Sequence, residues 1–169
     1  RIKQEARSEA TLGNGAKGVF AGAGYEPRGD FRRQGISIDP ALDPQLRLLL
    51  SAGVFCNDAR LQGEGGRWTV VGDTTEGALV VAAQKAGLSW EDLEGAQPRQ
   101  DEVPFTSERA RMTTVHQWGD RKIAYMKGAP DVVLPLCSSR RVKDDVTGLT
   151  DEDRSRVRAA NDELASRGL

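Results

Sequence analysis

A Gly-Asp pair at positions 119–120 joins two strand-like runs and limits the possible folds more than any other feature of this sequence. Glycine and aspartate tolerate the positive φ angles of two-residue turns, so the pair predicts a β-hairpin. If these two residues form the loop, Trp118 lies opposite Arg121 and, further along the strands, Met112 lies opposite Lys127.

This register returns the end of the hairpin to the segment that carries an isolated aromatic residue, Phe105. A ring, the cation of Lys127 and the bare backbone of Gly128 would then converge. Core packing is an equal alternative for Phe105, and a solvated strand end is the usual fate of a lysine. Together the three groups suit a flat heteroaromatic ligand with negative charge better than they suit a hydrophobic core.

The composition is typical of one soluble globular domain, with 169 residues, 38% hydrophobic and 29% charged. The net charge of −1 disfavours nucleic acid and acidic membranes as partners. No apolar run approaches the roughly 18 residues of a membrane span. Cys56 and Cys137 are expected to be free thiols. The start at Arg1 is typical of a piece of a larger protein.

Helical spacing and capping residues predict several helices. The first covers residues 44–55 and is expected to bury Leu46, Leu49, Leu50 and Val54. Asp73 opens a second helix that continues to about residue 86 and ends at Gly87, with Glu76 placed to complete a capping box. A short helix over 131–137 is interrupted by a proline. A last helix is capped at 150–153 and buries Val157, Ala160 and Leu164.

Short strands are predicted within 19–31, where a turn divides one or two of them, at 68–71, and in the central hairpin. Helices mixed with short strands and a glycine-turn hairpin predict an α+β fold. Its twisted, largely antiparallel sheet would be flanked by helices.

Catalytic and metal sites find little support in the residue pattern. His116, the only histidine, is mid-strand and has no serine or cysteine nucleophile in a recognisable context. No His/Cys cluster has metal-ligand spacing. Binding remains as the function, and Arg109 and Arg111 add charge that could meet phosphates, although such charges are most often solvated.

Five short motifs occur in one order along the chain. They are Cys-Asn-Asp-Ala at 56–59, Gly-Asp-Thr-Thr-Glu-Gly-Ala-Leu at 72–79, Pro-Phe-Thr-Ser-Glu-Arg at 104–109, Lys-Gly-Ala-Pro-Asp at 127–131 and Ala-Ser-Arg-Gly-Leu at 165–169. In this order they resemble the nucleotide-binding domain of P-type ATPases, in the type II cation-pump group that includes the calcium pumps. The resemblance covers residues 19–169 and leaves 1–18 as an N-terminal connecting segment.

The resemblance implies an ATP-binding, cytoplasmic domain of an integral membrane pump, possessing an α+β fold. In the intact pump the domain holds Mg-ATP and delivers the γ-phosphate to an aspartate in an Asp-Lys-Thr-Gly-Thr motif. That motif is absent from this sequence, so the fragment is not expected to be catalytically complete. The implied partners are the phosphorylation and actuator domains of the same polypeptide. The isolated fragment is expected to be monomeric, without direct membrane contact.

Carried over by position, the resemblance assigns an adenine site. Phe105 would stack on adenine, Lys127 would line the bottom of the pocket and Glu76 would lie at the adenine edge. The other positions implied at the ligand are Thr75 near Glu76, the wall formed by Gly128 and Ala129, and the basic residues Arg109 and Arg111.

Departures from the family pattern concern mainly the phosphate side. Ala110 and Ser107 stand where the calcium pumps carry basic residues, Thr74 replaces a common proline and Asp131 replaces a frequent glutamate. Arg111 could substitute at Ala110, but strand alternation should turn it the other way. The alternative function is therefore a degenerate regulatory or interaction domain of the same fold with little nucleotide affinity.

Overall fold

The computed structural model describes residues 8–11, 17–20, 24–142 and 144–166. Five α-helices and eleven strands lie within these ranges. The helices are α1 (Pro44–Phe55), α2 (Thr74–Lys85), α3 (Trp90–Ala96), α4 (Pro130–Val133) and α5 (Asp151–Ser166). Short 3-10 helices precede α1 and follow α4, at Pro40–Leu42 and Leu134–Leu136.

The strands form four separate antiparallel sheets in the described part of the chain. A four-stranded sheet contains β1 (Ser8–Thr11), β2 (Lys17–Phe20), β3 (Phe31–Arg33) and β4 (Ile36–Ile38). Two hairpins pair β5 (Arg60–Glu64) with β6 (Arg67–Val71), and β10 (Ser139–Val142) with β11 (Asp145–Gly148). The central sheet contains β7 (Arg99–Thr106), β8 (Arg111–Trp118) and β9 (Arg121–Gly128). The predicted α+β class is confirmed.

The central hairpin has the register that its turn predicts. Trp118 pairs with Arg121 and Met112 pairs with Lys127. Gly119 in the turn has a φ of +56°, a conformation that glycine adopts without strain. Strand β7 adds a third member that the sequence analysis did not predict, because nearly all its residues are exposed and no apolar alternation marks it.

Helix α1 has its predicted bounds. The side chain of Asp43 accepts hydrogen bonds from the backbone N–H groups at the start of the helix, and a proline occupies the first turn. Leu46, Leu50 and Val54 are buried as predicted. The prediction for Leu49 is wrong, because it is 48% exposed on the outer side of the helix.

The main core lies between α1, α2 and β3. Helices α1 and α2 contribute most of the buried apolar side chains, and the loop after α2 closes one end. The core residues are Phe31, Leu46, Leu50, Val54, Ala82, Ala83, Ala86 and Leu88. Helix α2 begins one residue after Asp73, as predicted, and Gly87 follows it with a φ of +72°.

The C-terminal part contains both predicted helices, with the unpredicted hairpin of β10 and β11 between them. The predicted helix over 131–137 is α4 followed by a 3-10 turn. Thr150 and Asp153 form a reciprocal cap, in which Thr150 N donates to Asp153 Oδ2 and Asp153 N donates to Thr150 Oγ1. The burial predicted for Val157 is wrong, since it is 43% exposed.

Some predictions concern residues that the structure does not describe. Residues 167–169 of the fifth motif lie outside the described residues. The boundary at residue 18 stays a prediction, although β1 and β2 pair within the same sheet as β3 and β4. Cys56 and Cys137 are free thiols. Among the described helices, none has the length and apolar character to cross a membrane.

Candidate functional site

The candidate site lies where three strands end together. Because β7, β8 and β9 are antiparallel neighbours, the end of β7, the start of β8 and the end of β9 share one edge. Thr106, Arg111 and Gly128 form a cross-strand row at this edge. Phe105 directly precedes this row and is 58% exposed. Phe105 therefore does not serve as core packing, and its ring is accessible to a ligand.

Lys127 forms an ion pair that reaches a different part of the fold. It lies opposite Met112, which is 1% exposed, so its side chain projects from the covered face of the sheet. Lys127 Nζ lies 2.5 Å from Glu76 Oε1, and the two side chains are 25% and 18% exposed. Lys127 is therefore a partly buried ion-pair partner, which excludes the solvated strand end as its role.

Glu76, in the first turn of α2, joins this helix to the loop after α1. Its second carboxylate oxygen accepts the backbone N–H of Asp58 at 3.1 Å, and its backbone carbonyl accepts Asn57 Nδ2 at 3.0 Å. Asp73 caps α2 by accepting the N–H groups of Thr75 and Glu76. The capping box is thus formed on the Asp73 side, while the Glu76 carboxylate is held by Asp58 and Lys127.

The electrostatics at the start of α2 keep the cap charged. Hydrogen bonds from the backbone of Glu76 and Thr75 lower the pKa of Asp73, since they stabilise its carboxylate. Thr75 is exposed one residue before Glu76, at the same helix end. Burial raises the pKa of the Cys56 thiol, with Lys127 nearby as an opposing influence, so Cys56 remains a neutral buried group.

Gly128 is required by the protein's own packing. A Cβ atom at this position would lie 2.5 Å from the carbonyl oxygen of Ala110 and 2.6 Å from Arg111 Cβ. Ala129 continues this contact, because its N–H donates to the Ala110 carbonyl at 3.1 Å. The close approach that explains the glycine is therefore to the start of β8, and Gly128 and Ala129 form a fixed wall at this edge.

Residues 45–169 match the family model of the cytoplasmic N domain of P-type ATPases. The matched region begins in α1 and contains Glu76, Phe105 and Lys127. The chain belongs to this family.

Relatives of this N domain include much longer proteins. The cation-transporting ATPase pma1 of Synechocystis is 36% identical over 95% of this chain and 18% of its own length. The probable cation-transporting ATPase F of Mycobacterium tuberculosis is 43% identical over 73% of this chain and 14% of its own. The calcium-transporting ATPase of Bacillus subtilis is 38% identical over 88% of this chain and 17% of its own. The chain thus spans less than a fifth of these relatives.

The two predicted basic residues of the N domain have different positions. Arg111 pairs with Gly128, next to the pair of Met112 and Lys127, so alternation places it on the face opposite Lys127. Arg109 lies in the turn between β7 and β8, and its guanidinium donates to backbone carbonyls of β7. The structure therefore brings Glu76 and Lys127 together, and it keeps Arg111 away from them.

His116 has a structural role in the N domain. It is 1% exposed, its Nδ1 lies 2.8 Å from the Gln97 carbonyl and its Nε2 lies 3.2 Å from the Phe55 carbonyl. The ring also packs edge-on against Phe55 and Tyr125. This environment agrees with the absence of a catalytic context in the sequence.

The residues that support Glu76 were not predicted from the sequence. Arg99 donates to the carbonyls of Phe55 and Asn57 and forms an ion pair with Asp58 at 2.8 Å. It therefore holds the loop whose N–H binds Glu76. The Cys-Asn-Asp-Ala motif was a signal for part of this network, but nothing local in the sequence connects it to Arg99.

The residues present fit an adenine nucleotide on its base side. Phe105 provides an exposed ring, and Glu76 and Lys127 provide a carboxylate and an ammonium within a partly buried setting. Such groups can stack on a base and bind its polar edge, as binding pockets with few fixed polar groups do. Within the described residues, no group of histidines, cysteines and carboxylates could hold a metal ion.

Proposed function

We propose that this N domain binds ATP by stacking adenine on Phe105. The observation that carries the proposal is the 58% exposure of this ring at the edge where β7 and β9 both end. A ligand that stacks on this ring would remove its apolar surface from water, and that removal is favourable. Stacking on a base contributes on the order of 1–3 kcal/mol.

The polar groups that support adenine recognition are Glu76 and Lys127. Their ion pair joins α2 to β9 and leaves both side chains partly accessible. Thr75 lies beside Glu76, and Gly128 and Ala129 supply the wall next to Lys127. This arrangement offers one acceptor and one donor for the edge of the base, with the ring of Phe105 for its face.

The phosphate side of the site is less complete than the base side. Arg109 and Arg111 remain candidates for phosphate contact, but Ala110 lies between them with a methyl group. We expect ATP to bind weakly, with a Kd on the order of 0.1–1 mM. In the intact pump the bound nucleotide would be Mg-ATP, and its γ-phosphate would pass to an aspartate outside this fragment.

The proposed biological setting is a membrane pump that transports cations. The calcium- and cation-transporting ATPases that the chain resembles supply this proposal, with calcium as the first ion to test. The domain would then work with the phosphorylation and actuator domains of the same polypeptide. The alternative, a regulatory domain with little nucleotide affinity, is motivated by Ala110 and Ser107.

The direct test is a titration of wild type and Phe105→Ala with ATP, in which amide NMR spectra report binding. Loss of the ring should weaken binding about fivefold to 150-fold, because 1–3 kcal/mol of stacking is removed. Trp118→Ala is the matched control. It removes an aromatic residue that is 57% exposed at the opposite end of the hairpin, and it should leave the affinity unchanged.

Two outcomes would contradict the proposal. Equal affinities of wild type and Phe105→Ala would exclude stacking on this ring. No spectral change with ATP up to several times the expected Kd would instead favour the regulatory domain. Chemical-shift changes centred on Phe105 and Lys127 would exclude that alternative.

A further inference from the structure

The guanidinium of Arg109 contacts the backbone directly before Phe105. Arg109 Nη1 lies 3.0 Å from the Pro104 carbonyl oxygen and 3.3 Å from the Val103 carbonyl oxygen, and it donates to both. The backbone N–H of Arg109 donates to Thr106 Oγ1 at 3.2 Å. One arginine therefore holds β7 on both sides of Phe105.

Strand β7 is irregular at this point. Its pairing with β8 passes from Val103 opposite Thr113 to Thr106 opposite Arg111, so three steps along β7 match two along β8. An extra residue of this kind is a β-bulge, which bends the strand and redirects its side chains. The bulge includes Pro104, which has no backbone N–H to give to a ladder.

Carbonyl groups at a bulge need partners outside the regular ladder. Among the described residues, β7 is also an edge strand of its sheet, paired with β8 alone. The Arg109 guanidinium supplies hydrogen bonds at the two carbonyls that precede Phe105. Its charge strengthens these bonds compared with those from a neutral donor.

We infer that Arg109 is a positioning residue, which fixes the bulge of β7 and so sets the orientation of the Phe105 ring for the base. This inference rests on the proposed binding of adenine to Phe105. It differs from a phosphate role for Arg109, because the Nη1 group of its guanidinium donates to protein carbonyls. A change in the orientation of the ring should then alter the affinity for every ligand that carries adenine, with or without phosphates.

The experiment compares ATP with adenosine, which lacks all phosphates, in titrations of Arg109→Ala and Arg109→Lys. If Arg109 positions Phe105, each variant weakens the binding of ATP and of adenosine by the same factor, about twofold to tenfold, since neither side chain keeps the Nη1 group that donates to both carbonyls. If Arg109 binds phosphate, Arg109→Ala weakens ATP much more than adenosine and Arg109→Lys restores most of the affinity. The second pattern would overturn the inference.

A double-mutant cycle with Phe105 gives a second readout. In a Phe105→Ala background, Arg109→Ala should change the affinity for ATP by less than about twofold, because no ring remains to be positioned. If Arg109→Ala weakens ATP binding as much in the Phe105→Ala background as in wild type, the inference is overturned. Arg121→Ala is the matched control, since it removes an exposed arginine at the turn end of the same sheet.

A ligand-free measurement separates this inference from the proposed function. Arg109→Ala should shift the amide resonances of Phe105 and Thr106 and accelerate their hydrogen exchange, while β10 and β11 keep their wild-type spectra. If these amides change but wild type does not bind ATP, the proposed function fails and the positioning of β7 stands. If the amides do not change, the inference itself is wrong.

Discussion

Ala110 has a backbone conformation that its side chain disfavours. Its φ is +47°, in the left-handed region, where a residue with a Cβ atom is strained. Two hydrogen bonds hold it there, from Ala110 N to the Thr106 carbonyl and from Ala129 N to the Ala110 carbonyl. Strain at this position is the cost of the turn that joins β7 to β8 beside the candidate site.

Ala110→Gly should therefore stabilise the protein by about 0.5–1 kcal/mol, because glycine adopts this φ without the steric penalty. Urea denaturation with and without the change measures the difference. Ala124→Gly on the exposed side of β9 is the matched control. It should destabilise the protein by about 0.5–1 kcal/mol, because glycine in a strand raises the conformational entropy of the unfolded chain without relieving any strain in the folded one. The same sign for both changes would contradict the explanation.

At the level of elements, helix α2 lies against β6 through a glycine. A Cβ atom at Gly77 would lie 2.4 Å from Val70 Cγ1, closer than side chains can approach. Gly77 follows Glu76, so the same close contact sets the position of the carboxylate that pairs with Lys127. The position of the helix is thus a condition for the geometry of the site.

Gly77→Ala should destabilise the protein by about 1–3 kcal/mol, the usual cost of overpacking. Gly95→Ala in α3 is a control of opposite sign. Nothing lies within 4 Å of a Cβ there, and alanine is the better helix former, so stability should rise by up to about 1 kcal/mol. Thermal unfolding of both variants measures this contrast. A neutral Gly77→Ala would show that α2 can move away from β6 at little cost.

These elements also show what sequence patterns could predict. Periodic apolar residues and capping side chains predicted α1, α2 and the last helix, and the Gly-Asp turn predicted the pairing of Met112 with Lys127. Strands β5, β7, β10 and β11 were not predicted. Their residues are mostly exposed, so the alternation that reveals a half-buried strand is missing.

For the whole molecule, acid stability depends on carboxylates with several partners. Asp153 is 5% exposed, caps α5 through Thr150 and pairs with Arg140 of β10 at 3.0 Å. Hydrogen bonds from the backbone and side chain of Thr150 lower its pKa, followed by the charges of Arg140 and Arg156. A lowered pKa in the folded state adds stability above the ordinary pKa, and this stability is lost as the pH falls through the folded value.

Asp153→Asn should therefore be less stable than wild type at pH 7, and the difference should shrink as the pH falls from about 5 through the lowered pKa of the wild-type carboxyl. Urea denaturation over this pH range measures it. Asp145→Asn, at an exposed position of β11, is the control and should show a smaller change. A difference that stays constant with pH would mean that the charge of Asp153 does not contribute.

By itself the sequence determined the family, the hairpin register and the ends of the main helices, because these depend on motifs and on residues close together in the chain. Only the tertiary structure decided how the site is held. It paired Glu76 with Lys127, 51 positions apart, and placed Arg99 against the loop at Asn57 and Asp58. It also turned Arg109 onto the backbone of β7. Such contacts depend on how separate elements pack, and the local periodicity of the sequence does not predict that packing.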